Sequence, residues 1–141
     1  MKIRFQKILE EAVAPSYAHP GDAGMDIFSA EDAIIKAGER KNIRTGLKME
    51  LPEGYVALIW DKSGLALNNG IKTMAGVIDS CYRGEIGIVL VNLNNQDYKI
   101  KKGQKISQIL IQKVETAEIE VAEKLSETKR SEGGFGSTGL E

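Results

Sequence analysis

The chain is built from short apolar runs that Gly, Asn, Pro and Asp repeatedly interrupt. Eight runs have strand length: residues 3–9, 25–28, 40–49, 55–60, 85–92, 98–100, 105–114 and 118–121. Several are rich in Ile and Val, whose branched side chains pack well on a pleated surface. Glycines fall mainly between the runs, where the chain must turn sharply. Many short strands at this spacing predict an all-β fold, a sandwich or barrel. One short helix is expected at Ser63–Asn69, with Ser63 as its cap and Asn69-Gly70 as its end. Residues 115–128 hold much Ala, Glu, Lys and Leu, yet Glu118-Ile119-Glu120-Val121 alternates with period two. That alternation predicts a strand followed by a loop.

A length of 141 residues, 42% apolar and 28% charged, supports one core and not two. Nineteen Lys and Arg against twenty Asp and Glu leave a net charge of -1. Affinity for long nucleic acid rests on neutralising phosphates, so nucleic acid is not an expected partner. A small local anion site stays open. No apolar run approaches the roughly 20 residues of a membrane span, and the start, Met1-Lys2-Ile3-Arg4-Phe5, lacks the apolar stretch of a secretory signal. Cys81 is the one cysteine and His19 the one histidine, which excludes an internal disulfide and a Cys/His zinc cluster. These features predict a cytoplasmic chain with no membrane partner.

Five segments carry groups suited to chemistry. Ala23-Gly24-Met25-Asp26-Ile27 puts a carboxylate at a strand entrance, where a turn Asp is the simpler reading. Asp61-Lys62-Ser63-Gly64 places a Lys, a hydroxyl and a Gly at a helix start, where unpaired N–H groups suit an anion or a simple cap forms. Gly76-Val77-Ile78-Asp79-Ser80-Cys81-Tyr82-Arg83-Gly84-Glu85 sets Asp79 near a strand end, followed by a hairpin-like turn. A carboxylate there can deprotonate a water and Tyr82 can offer a flat face to a sugar; a turn Asp with a core tyrosine is the alternative. Gly103-Gln104-Lys105-Ile106-Ser107-Gln108 places an amide among apolar neighbours, where it must bond either backbone or ligand. Beyond Arg130, the stretch Ser131-Glu132-Gly133-Gly134-Phe135-Gly136-Ser137-Thr138-Gly139 buries little and reads as a flexible tail. Its one aromatic and its hydroxyls also suit a base and phosphates.

In this order, the five segments resemble the five signature motifs of the homotrimeric dUTPase family, which hydrolyses dUTP to dUMP and pyrophosphate. The resemblance runs from Ala23 to Gly139. It implies a jelly-roll β fold over residues 1–130, a tail at 131–141 that closes over the site, and a homotrimer with shared active sites. By the same resemblance, Asp79 activates the attacking water and Arg130 reaches the phosphates. Lys62, Ser63, Gly64 and Gln108 line the phosphate region, and Asp26 helps order magnesium there through water. Tyr82 lies under the deoxyribose, Gly76, Val77 and Ile78 supply backbone groups to uracil, and Phe135, Gly136, Ser137 and Thr138 cover base and triphosphate. The cofactor implied is Mg2+, bridging phosphate oxygens.

The chain departs from the family pattern at several positions. Lys62 and Lys105 replace the usual Arg, Asp61 a usual Pro, Cys81 a frequent second Asp, and Ser131 a usual Gly. Thr73 stands where many bacterial members carry a uracil-contacting Asn. A dCTP deaminase of the same fold would need a carboxylate on the strand after the third motif, and residues 86–92 contain none. A nucleotide-binding regulatory homologue without catalysis is the rival of another class.

Overall fold

The computed structural model of the chain describes residues 1–134. Eleven strands and one helix occur among them: β1 (Arg4–Lys7), β2 (Gly24–Phe28), β3 (Ala33–Ile35), β4 (Arg40–Arg44), β5 (Leu47–Glu50), β6 (Tyr55–Trp60), α1 (Ser63–Asn69), β7 (Ile71–Met74), β8 (Val77–Asp79), β9 (Gly87–Asn92), β10 (Tyr98–Ile100) and β11 (Lys105–Lys113). The all-β expectation is met. The strands form four antiparallel sheets, of which the larger run β2-β11-β6-β8 and β4-β9-β7. None closes on itself among the described residues. Every pairing joins strands that are not consecutive in sequence, so the fold is held by long crossovers rather than hairpins.

One apolar core lies between the sheets. Ile27, Ala57, Ile59 and Ile109 enter it from the four-stranded sheet, and Ile43, Ile71, Ile88 and Leu90 from the three-stranded one. Their sequence neighbours point outward, as the two-residue period of a strand requires. Ser107 is also fully buried, and its hydroxyl has no hydrogen-bond partner. Burying an unpaired hydroxyl costs free energy, so Ser107→Ala is expected to stabilise the fold by about 1 kcal/mol. A higher denaturant midpoint at unchanged slope would register it.

Several local expectations need correction. The 40–49 run is two strands, because Gly46 turns the chain at φ +67 and the buried Thr45 hydroxyl donates to the Ile86 carbonyl. Residues 118–121 form no strand; Ile119 and Val121 are exposed and have no neighbouring edge to pair with. The strands at Ala33–Ile35 and Ile71–Met74 were not among the expected runs. Helix α1 has the expected span and ends at Gly70 in the left-handed conformation, but its cap is Lys62, with no side-chain cap bond from Ser63. The segment after Asp79 is a β-turn, Tyr82 N–H to the Asp79 carbonyl at 3.1 Å, yet it joins strands of different sheets and is no hairpin.

Candidate active site

A cavity of about 220 Å3 opens between β8 and the neighbouring sheet. Gly76, Val77, Ile78, Asp79 and Tyr82 line it, together with residues of β9. Strand β8 is the last of its sheet: it pairs with β6 on one side only. Its other edge therefore presents unpaired backbone donors and acceptors, the kind of rim that can read the edge of a base. Entry into β8 depends on Ala75 and Gly76, both at positive φ. A Cβ on Gly76 would lie 2.9 Å from the Ile59 carbonyl oxygen, so this tight crossing requires glycine.

The Asp79 side chain is exposed at the end of β8, and no hydrogen bond or ion pair engages it among the described residues. Tyr82 is half exposed, and its hydroxyl donates to the Glu85 carbonyl at 3.1 Å. It is thus a surface ring over the cavity and not a core tyrosine. Gly84 makes room for it, since a Cβ there would fall 2.1 Å from the tyrosine oxygen. The Glu85 carboxylate receives Arg44 and the Gly46 N–H, and Arg83 donates back to the carbonyls of Ser80 and Tyr82. The loop is fixed at both ends.

A second cluster gathers around Asp26. Its backbone is pinned between Ser16 and Gln108, and its carboxylate is buried. Lys62 binds one carboxylate oxygen and Lys105 the other, the latter at 2.6 Å. Burial would raise the Asp26 carboxyl pKa, but the hydrogen bonds and charges of the two lysines outweigh it and hold it below the usual 3.8. The Gln108 amide donates to the Asp61 carbonyl at 2.9 Å, the backbone partner rather than a free one. Ser63 and Gly64 are exposed at the start of α1 beside Lys62.

Two departures from the family pattern are a single feature. Asp61 accepts from both the Thr73 N–H and the Thr73 hydroxyl at 2.6 Å, and from Lys72 at 2.8 Å. Asp61 therefore turns away from Lys62. Burial would raise the Asp61 carboxyl pKa; the bonds from Lys72 and Thr73 overcome this and lower it from 3.8. Its folded form thus binds fewer protons than the unfolded chain, and stability that is present above 3.8 is lost as pH falls through the lowered value. Asp61→Asn is expected to flatten the fall of melting temperature on acidification, measured between neutral pH and the acid limb.

Arg130 is not brought to either cluster: its guanidinium donates to the Gly133 carbonyl of its own segment at 2.8 Å. Ser131 adopts φ +44, where a glycine would be unstrained. Phe135, Gly136, Ser137 and Thr138 lie outside the described residues. Sequence reasoning had left Lys105 out of the site, because nothing local ties it to a carboxylate so far away in the chain.

Magnesium has no ready protein cage here. No group of three or more His, Cys, Asp or Glu suited to a metal occurs among the described residues. The one buried carboxylate in the phosphate region is taken by two ammonium groups. The donor set does not fit a resident ion.

The order of these parts decides the relationship, because the family model for dUTPase matches residues 10–139 and so takes in all five segments. The chain belongs to the dUTPase family. Curated relatives called deoxyuridine 5'-triphosphate nucleotidohydrolase include that of Clostridium novyi (strain NT), 48% identical over 99% of this chain and 100% of its own length. That of Nautilia profundicola is 48% identical over 99% of both chains. Among solved structures, the Staphylococcus bacteriophage 80alpha dUTPase with dUPNHPP aligns at a TM-score of 0.93, with 29% identity and 99% of both chains covered. A mutant dUTPase from phage phi11 of S. aureus, described with a structural Mg(II) ion, aligns at 0.84 with 27% identity, covering 90% of this chain and 100% of its own. This dUTPase-family chain is thus a hydrolase by lineage and an all-β dUTPase by fold.

Proposed function

We propose that the chain hydrolyses dUTP to dUMP and pyrophosphate by in-line attack of water on the α-phosphorus, with Asp79 as the base. One observation carries this. Of the four carboxylates on or beside the site, Asp26, Asp61 and Glu85 are consumed by ion pairs, while Asp79, without a partner among the described residues, lines a cavity. A general base must be available to a water within hydrogen-bond reach, and among the described residues Asp79 is the cavity carboxylate without a partner. Uracil is read by backbone groups of Gly76, Val77 and Ile78, on and beside the edge strand β8, and Tyr82 packs under the deoxyribose. Lys62, Ser63, Gly64 and Gln108 take the phosphates. Magnesium would be carried by the substrate rather than held by this chain's side chains, and it would supply neutralisation of phosphate charge. The product supplies dUMP and the reaction limits uracil in DNA, in the cytoplasm.

The active form is proposed to be a homotrimer with shared sites, and the sheet register supports this. Asp26, Gln108 and Trp60 form one row across the four-stranded sheet, whereas Asp79 is opposite Val56. Four residues along and three strands across place the two clusters about 19 Å apart, at roughly 3.3 Å per residue and 4.8 Å per strand. That separation is long for one triphosphate, and a site shared between chains would bring the two clusters within its reach. The same outer face carries an apolar row, the half-buried Leu110 and Leu58 and the exposed Val77, with Trp60 beside it 55% exposed.

Incubating the protein with magnesium and dUTP, dCTP, dTTP or UTP tests the reading. dUMP and pyrophosphate from dUTP alone support it; a uracil product from dCTP, or binding without turnover, overturns it. Residues 131–141 are proposed to close over the bound nucleotide and bring Arg130 to the phosphates. The buried core ends at Ile109, so a chain stopped after Arg130 is expected to keep its melting temperature. Its turnover should fall at least about tenfold.

A further inference from the structure

We propose that Lys105 is a second phosphate-binding cation and that Asp26 is a positioning residue for it and for Lys62, rather than a carboxylate that orders magnesium. The inference rests on the dUTP reading and refines the phosphate end of that site. Asp26 is only 5% exposed, and a carboxylate so buried persists only if its charge is matched. It is matched twice, one lysine on each oxygen. Two ammonium groups and one carboxylate leave the cluster with one net positive charge. Such a cluster repels a divalent cation and attracts a polyanion.

The lysines come from separate parts of the chain, Lys62 from the cap of α1 and Lys105 from the irregular start of β11. Their side chains remain 30% and 49% exposed, so their heads reach the surface while being anchored from below. Each ammonium has three donors and spends one on Asp26, which leaves the others for phosphate oxygens. No other acceptor engages either head among the described residues. A lysine lacks the planar fork that orients an arginine on phosphate. The shared carboxylate supplies that orientation instead, and it removes in advance much of the side-chain freedom that binding would otherwise cost. This explains how two positions can carry Lys in place of Arg without losing direction.

The test uses the full-length protein and calorimetry with inorganic pyrophosphate, dUMP and a hydrolysis-resistant imido analogue of dUTP, in metal-free buffer and with magnesium. Lys105→Met is expected to weaken pyrophosphate and the analogue about tenfold or more, as the loss of one charge-assisted bond implies. It should spare dUMP. Lys105→Arg should restore most of the affinity, and Lys99→Met, an exposed lysine away from the site, should change nothing. Asp26→Asn should weaken the same ligands, act non-additively with Lys105→Met, and leave the magnesium concentration for half-maximal turnover unchanged. Undiminished metal-free pyrophosphate binding in Lys105→Met overturns the proposal. So does an Asp26→Asn variant that needs more magnesium yet binds pyrophosphate normally. A wild-type protein inert towards dUTP would sink the substrate reading alone, since metal-free pyrophosphate binding still decides the role of the lysines.

Discussion

Asp79→Asn is expected to bind the imido analogue of dUTP with near-normal affinity and to lose turnover by about a thousandfold or more. The magnitude is that of removing a positioned general base, which contributes on the order of 10²–10⁴ in rate. Asparagine keeps the size and the polar contacts of the carboxylate, so ground-state binding survives while proton abstraction does not. The fold should be indifferent, because Asp79 is exposed, ends its strand and makes no side-chain contact that the sheet needs. Its backbone carbonyl, which accepts the Tyr82 N–H, is untouched by the change. Single-turnover kinetics separates the two effects: kcat should collapse with KM little altered. Substantial turnover would remove Asp79 as the base and leave no free carboxylate in the cavity among the described residues to replace it.

How far the sequence foretold this arrangement depends on whether the relevant residues are neighbours in the chain. Tyr55–Trp60 and Ser63–Asn69 were legible because each has an unbroken local pattern and a clear stop, Gly70 in the helix case. Ala33–Ile35 is only three residues long and exists because β10 pairs with it, a partner that no local pattern announces. The opposite error occurred at residues 118–121, where alternation is present but no strand pairs with it among the described residues. Gly76, Asp79 and Tyr82 could be read together since one short segment, residues 76–82, carries them all. The resemblance placed Asp26 and Lys62 in one region, but the ion pairs with Asp26 and the part of Lys105 could not be read, because three crossing segments meet there. Asp61 and Thr73 looked like two unrelated departures until the fold set one against the other.

Mixing two inactive variants is expected to restore activity, and this is the sharper test of a site shared between subunits. One variant is Asp79→Asn, which keeps the phosphate cluster. The other is the double variant Lys62→Met with Lys105→Met, which keeps the base. In the proposed trimer with shared sites, each parent alone would have only defective sites, since every site would draw one damaged part. In trimers assembled together from equal amounts, a site is intact when the subunit giving Asp79 and its neighbour giving the lysines are both of the right kind. Random assembly makes that true of about a quarter of sites in a closed ring with cyclic symmetry. Coexpression or joint refolding should therefore recover about that share of wild-type turnover from two parents that have almost none. The register motivates this test: across the sheet the Asp26 row lies at Trp60 and the Asp79 row at Val56, four residues apart along β6. If both clusters instead served a site within one chain, every mixed assembly would remain as inactive as its parents, because no single chain would carry both intact halves.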